Sequence, residues 1–171
     1  MQGEELAAAI EPLHESGFGW ALACCGRDDD MAKEILQSAY VKILEGKARF
    51  DGRSTLKTWL FGVIRRTAAE HRRRALVDSA RRAFGGRDDR APAASPDPES
   101  RLVESEKGRA VRRALGRLSG RQREVLHLVF YEDLTLEECA RVLEMSVGSA
   151  RTHYERGKAR LRRLLPREVA S

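Results

Sequence analysis

The 171 residues suffice for one ordinary domain or two small ones, and a formal net charge of +6 with 34% charged residues favours a polyanionic partner. No apolar run approaches the roughly 20 residues needed to span a bilayer. The N-terminus (MQGEELAAAIEPL) is acidic where a signal peptide needs positive residues, so a cytoplasmic protein without membrane insertion is expected.

Charge is segregated along the chain. Residues 1–46 carry a net −6, residues 47–90 a net +8 and residues 91–171 a net +4. An acidic head suits a protein partner, and the basic remainder suits a polyanion. Cys24, Cys25 and Cys139 form no disulfide framework and no CxxC or His/Cys cluster with zinc-ligand spacing. They read as small, buried apolar residues.

In chain order, Leu6, Ala9, Ile10 and Leu13 begin an amphipathic helix that resumes through Phe18, Trp20, Ala21 and Cys24. Met31, Ile35, Leu36, Ala39, Tyr40, Ile43 and Leu44 then form an apolar stripe of three turns. Asp28, Asp29 and Asp30 stand at its start, where the helix dipole favours negative charge. A third helix is predicted from Ser54 or Thr55 to Arg74. The segment Asp78–Ser100 (DSARRAFGGRDDRAPAASPDPES) holds Gly-Gly and three of the five prolines and almost no large apolar residue, which predicts a flexible linker. It separates a domain at 1–77 from one at 101–167, each near the minimum size for its own core. Leu102–Leu118 and Gln122–Tyr131 are the next predicted helices. Strand-like alternation is absent, so an all-α chain of two small helical domains is expected.

The stretch Ser119–Leu165 reads as a helix-turn-helix. Thr135 and Glu138 have the spacing of a capping box for a short helix, Met145-Ser146 makes the turn, and Ser146 caps the next helix. In that last helix Val147, Ala150, Tyr154, Gly157, Leu161 and Leu164 recur on one face. Ser149, Thr152, His153, Arg156, Arg160 and Arg163 recur on another. Short polar and Arg side chains near the start of a second helix are what major-groove reading requires.

Three segments in this order resemble the extracytoplasmic-function group of the bacterial sigma-70 class. DDDMAKEILQSAYVKIL resembles region 2.2, FDGRSTLKTWLFGVIRRTAAEHRRR resembles regions 2.3 and 2.4, and LGRLSGRQREVLHLVFYEDLTLEECARVLEMSVGSARTHYERGKARLRRLL resembles region 4. The resemblance implies a promoter-specificity subunit that binds core RNA polymerase, opens the −10 element and reads the −35 element as duplex. It also implies an anti-sigma factor as a common partner. In the family the region 2.2 helix docks on a coiled coil of the largest polymerase subunit, which assigns Asp30, Lys33, Glu34 and Gln37 to that contact; Lys33 stands where the family usually has Gln.

For the melted −10 strand the resemblance points to Arg53, Ser54, Thr55, Lys57, Trp59, Arg65, Arg66 and Arg73. Single-strand capture needs cations along the backbone and a place for a splayed base. Trp59 matches an aromatic kept near the edge of the bubble, and beside Leu60 and Phe61 it fits a core position as well. Arg66 replaces a common Asn. For the −35 duplex, Ser149, Arg151, Thr152, His153 and Arg156 are placed to reach base edges, with Arg121, Arg123, Thr135, Lys158 and Arg160 on phosphates. The stretch Ser119–Leu161 also resembles the output domain of LuxR-type activators, which makes a free-standing transcriptional regulator the alternative. No catalytic constellation, phosphate-cradling Gly loop or metal cluster appears, and His14, His71, His127 and His153 are scattered. No enzyme activity, cofactor or metal is expected.

Overall fold

The apolar periodicity of the first ninety residues resolves into four helices. A computed structural model describes residues 4–84 and 106–165. The chain divides into two units, Met1–Pro96 and Asp97–Ser171, and among the described residues every regular element is helical. No described helix is long and apolar enough to cross a membrane.

The first unit contains α1 (Glu4–Ile10), a 3-10 turn at Glu11–Leu13, α2 (His14–Cys24), α3 (Asp29–Leu44) and α4 (Leu56–Phe84). Asp28 caps α3, its carboxylate accepting from the Met31 amide at 2.9 Å, and Asp29 and Asp30 follow in the first turn. Helices α2, α3 and α4 pack on one another around Trp20, Ile35, Leu36, Leu60, Phe61 and Ile64. The Trp20 indole N–H donates to the Phe61 carbonyl at 3.0 Å, and Arg72 donates to the Cys24 carbonyl at 2.8 Å, tying α4 to the end of α2.

Two expectations change here. Leu44, expected in the apolar stripe of α3, is 60% exposed, and Val41 beside it is exposed as well. Helix α4 continues to Phe84, ten residues beyond the expected end at Arg74 and well into the expected linker. Low apolar content marks a segment that cannot build a core; it does not stop a helix already nucleated upstream. The run from Ala75 to Phe84 contains no Gly or Pro, and Gly85-Gly86 follows. The rest of the expected linker, residues 85–100, lies outside the described residues, as do residues 102–105 of the expected Leu102–Leu118 helix.

The second unit contains α5 (Glu106–Gly116), α6 (Gly120–Phe130), α7 (Leu136–Leu143) and α8 (Val147–Leu164). Thr135 and Glu138 make the expected capping box on α7, and Ser119 with Gln122 makes a second one on α6. Glu144 ends α7 with φ +52°, and Ser146 caps α8 by accepting from the Ser149 amide at 3.1 Å. Val125, Leu126, Leu128, Cys139, Val142, Leu143 and Ala150 form the core. Cys24 and Cys139 are buried and Cys25 is half-buried. Burial pushes the Cys139 thiol up to about 12, so it stays protonated at neutral pH.

At Gly157, α8 comes close to α6. A Cβ there would meet Leu126 Cδ1 at 3.0 Å and Cγ at 3.3 Å, with Leu126 itself buried. Gly157→Val should therefore destabilise the second unit by about 1–3 kcal/mol through overpacking. A thermal midpoint equal to the parent's, read by circular dichroism, would disprove this close approach.

Candidate nucleic-acid interface

On α8 the sequence pattern sorts into an exposed polar side and a buried side. Ser149, Arg151, Thr152 and Arg156 are exposed, His153 is half-buried between them, and Ala150 and Gly157 are buried on the opposite side. The Ser149 hydroxyl lies 2.9 Å from that of Ser146, and Thr152 Oγ1 donates to the Gly148 carbonyl at 2.9 Å. The short side chains at the start of the helix are thus held close to its backbone, leaving the Arg side chains to project farthest.

The five residues assigned to phosphates surround this face in different states. Arg160 is exposed and Arg123 half-buried. Lys158 Nζ lies over the Tyr154 ring at 4.6 Å. Arg121 Nη1 donates to the Leu143 carbonyl at 3.4 Å and pairs with Glu124, so it also closes the end of α7. The Thr135 hydroxyl is engaged in its capping box with Glu138.

In the first unit the loop between α3 and α4 and one face of α4 enclose a groove of about 350 Å³, lined by Lys42, Lys47, Arg49, Trp59, Val63, Arg66 and Glu70 among others. The Trp59 indole N–H donates to the Arg49 carbonyl at 3.0 Å, and its ring meets that of Phe50 at 5.4 Å. Trp59 is therefore half-buried, forming a wall of the groove and a strut for the loop. Lys42 donates to Glu70 at 2.6 Å and to Thr67 at 3.2 Å. The hydrogen bond from Lys42 holds the Glu70 carboxyl below the usual glutamate range. Four cations and one already paired carboxylate leave the groove positively charged.

Of the expected −10 residues, Trp59 and Arg66 line this groove and Arg73 is exposed farther along α4. Arg53 is exposed beside Asp51 at 3.4 Å. Ser54 Oγ donates to the Thr55 carbonyl, and Thr55 Oγ1 accepts from the Thr58 amide at 3.2 Å, so the Thr55 hydroxyl helps start α4. Lys57 Nζ sits 5.5 Å from the Phe61 ring. Arg65 departs from expectation: it is 8% exposed and does not line the groove. Successive residues on an α-helix turn by about 100°, which carries Arg65 away from Arg66 and onto the side of Phe61 and Ala68. Lys42, Lys47, Arg49 and Glu70 were missed by the sequence reading. The basic run 47–53 was a usable signal for two of them; the Lys42–Glu70 pair joins positions 28 apart and had none.

On α3, Asp30, Lys33, Glu34 and Gln37 are all exposed. Lys33 pairs with Asp29 and lies 3.9 Å from Asp30, and Glu34 lies 3.8 Å from His71 Nδ1. Lys33 and Gln37 also border an apolar groove of about 540 Å³ floored by Phe18, Leu36, Tyr40, Val41 and Leu44.

Residues 14–76 match the family Sigma-70 region 2 and residues 108–161 match Sigma-70, region 4. The chain is 28% identical over 141 residues to the ECF RNA polymerase sigma factor SigX of Bacillus subtilis (strain 168), covering 80% of this chain and 72% of that one. It is 29% identical over 165 residues to the RNA polymerase sigma factor CarQ of Myxococcus xanthus, covering 95% and 88%. Its fold is similar to that of the sigma factor RpoE solved in complex with the anti-sigma factor NepR from Bartonella quintana. There the TM-score is 0.71 at 20% identity, over 94% of this chain and 96% of that one. The region 2 match accounts for the first unit, which a LuxR-type regulator would not contain, so that alternative is not favoured. The chain belongs to the sigma-70 family as an extracytoplasmic-function sigma factor, a non-enzymatic subunit that gives RNA polymerase its promoter specificity.

Proposed function

We propose that the two units divide the work of this sigma factor as follows. The exposed α3 face (Asp30, Lys33, Glu34, Gln37) and the apolar groove beside it dock on core RNA polymerase, with a helical coiled coil of the largest subunit as occupant. The basic groove between the α3–α4 loop and α4 takes an unstacked base of the non-template −10 strand, while Arg53, Lys57 and Arg73 attend to its backbone. The second unit lays α8 in the major groove of the −35 element: Ser149, Arg151, Thr152, His153 and Arg156 meet base edges, and Arg121, Arg123, Thr135, Lys158 and Arg160 meet phosphates.

The domain assignment is 1–77 for docking and the −10 element and 101–167 for the −35 element, with residues 78–100 as the connection, of which 78–84 extend α4. Two modest DNA contacts joined through one polymerase act bivalently, the second forming at high effective concentration. The protein works in the cytoplasm, where polymerase and promoter are. An anti-sigma factor is the expected inhibitor, a partner of the kind seen with the similar fold of RpoE.

The observation that carries this reading is the cationic groove walled by Trp59, which supplies both a site for a splayed base and charge for its strand. Run-off transcription on a genomic promoter pool, with core polymerase alone and with this protein, tests it. New start sites sharing two upstream elements at fixed spacing are expected only when both components are present. DNA binding by the protein alone, without polymerase-dependent initiation, would sink it. Reversing charge at Asp30 and Glu34 together (Asp30→Lys, Glu34→Lys) should weaken core-polymerase binding about tenfold with helicity unchanged. Unaltered affinity would take α3 out of the interface.

A further inference from the structure

A base that stacks on an aromatic wall is held without regard to its identity, so identity has to be read at its edges. The side chains lining the groove of the first unit are mostly donors. Lys42, Lys47, Arg49 and Arg66 can only donate, and the Trp59 indole N–H is given to the Arg49 carbonyl. The two side-chain acceptors of the groove, the Thr67 hydroxyl and the Glu70 carboxylate, both accept from Lys42, at 3.2 and 2.6 Å. Lys42 reaches them from α3, so an ion pair across two helices neutralises the groove's carboxylate and occupies one of its oxygens. Arg66 stands one turn beyond Gly62 and shares a face of α4 with it and with Trp59. Its Nη1 lies 3.6 Å from where a Gly62 Cβ would stand. The Arg66 side chain therefore runs back along α4 toward the turn that carries Trp59.

We propose that this donor-lined groove selects guanine, with Arg66 reading the base and Lys42 keeping Glu70 from reading one. The inference rests on the groove taking an unstacked −10 base, and it adds which base that is. Guanine alone presents two neighbouring acceptors, O6 and N7, on an edge without an amino group, and a guanidinium meets them with paired donors. Adenine sets its N6 amino group beside N7, and cytosine sets its N4 amino group beside N3, so each turns a donor toward donors. Thymine separates its carbonyl oxygens and offers no such pair. An uncapped carboxylate would reverse the choice, because a Glu side chain accepts from an exocyclic amino group. Arg66 is thus the specificity-determining residue, and Lys42 is a positioning residue that acts through Glu70.

The test uses holoenzyme reconstituted from the full chain and core polymerase. Its probe is a promoter found by run-off transcription, with each −10 position of the non-template strand carrying each base in turn, and open complexes are counted. The parent should prefer guanine over adenine and cytosine at one position by about 5- to 150-fold. Putting 7-deazaguanine there, which lacks the N7 acceptor, should cost the parent about three- to tenfold. Arg66→Ala should lose the preference and be indifferent to 7-deazaguanine. Lys42→Met keeps the aliphatic reach without the charge; it should raise adenine and cytosine relative to guanine, and adding Glu70→Ala should restore guanine. A merely structural loss lowers all four bases by one factor, so the ratio between bases is the readout.

A different preferred base in the parent, or an unchanged guanine preference in Arg66→Ala, would overturn the proposal. So would equal opening by the parent on guanine and 7-deazaguanine. A loss from Lys42→Met shared equally by the four bases would remove the Lys42–Glu70 pair from specificity and leave it a clamp between α3 and α4. Trp59→Ala separates the proposal from the reading beneath it. If that variant binds core polymerase and opens the promoter as well as the parent, the groove does not take the −10 base and both fall. If it opens poorly while the parent shows no guanine preference, only the guanine proposal falls.

Discussion

Trp20→Ala is expected to unfold the first unit under conditions where the second remains helical. Trp20 is 0% exposed, its ring lies 5.9 Å from that of Phe61 at 15°, and its indole N–H satisfies the Phe61 carbonyl. Truncating a fully buried aromatic to alanine costs about 3–5 kcal/mol, from lost transfer energy and the cavity left behind. Small domains have only about 5–15 kcal/mol in total, and a unit of this size sits at the lower end. The chain contains two tryptophans, Trp20 and Trp59, both in the first unit. Emission from Trp59 in the variant therefore reports on that unit alone, while circular dichroism sums both. The expected result is a Trp59 emission transition at markedly lower denaturant, with part of the helical signal persisting beyond it. Coincident transitions at the parent midpoint would mean that Trp20 is not the keystone of the α2–α4 contact.

The sequence was most informative where physics is local. Capping residues lie three positions from the amides they satisfy, so Asp28, Thr135–Glu138 and Ser146 were readable directly. The two faces of α8 were readable because a single helix sets them. What escaped depends on contacts between distant parts of the chain. The groove draws Lys42, Lys47 and Arg49 toward Trp59 and Arg66 only because α3, its following loop and α4 close on one another.

Arg65 and Arg66 make the same point from the other side. Adjacent in sequence and identical in chemistry, they are turned onto different faces of α4, and only the packing of α4 decides which one is buried. Trp59 was open between core and stacking roles, and it takes an intermediate place, with its N–H holding the Arg49 carbonyl and its ring walling the groove. The end of α4 escaped for a different reason. A lack of apolar residues identifies a segment without a core of its own, but helix continuation is decided by the absence of breakers, and no Gly or Pro stands between Ala75 and Phe84.

Arg151→Ala should relax −35 recognition while leaving the second unit folded. Arg151 is exposed in the early part of α8, flanked by Ala150, which is buried, and by Thr152, whose hydroxyl is turned back to Gly148. With Ser149 and Thr152 drawn toward the helix backbone, Arg151 is the first exposed guanidinium of α8. A guanidinium presents paired donors to O6 and N7 of guanine, and such a bidentate contact is worth about 1–3 kcal/mol of discrimination. Its loss should cut the ratio of specific to single-base-substituted binding by about 5- to 150-fold at one position of the −35 element, with non-specific affinity nearly unchanged.

The comparison that gives this meaning is Arg121→Ala. Arg121 donates to the Leu143 carbonyl from the start of α6, so its removal should lower affinity about equally on every sequence and also reduce stability. Competition binding of holoenzyme to a panel of −35 substitutions distinguishes the two behaviours. If Arg151→Ala lowers binding to cognate and scrambled −35 sequences by the same factor, Arg151 holds a phosphate. Base discrimination would then rest on the remaining groove-facing side chains, with Arg156, one to two turns farther along α8, as the next guanidinium able to supply it.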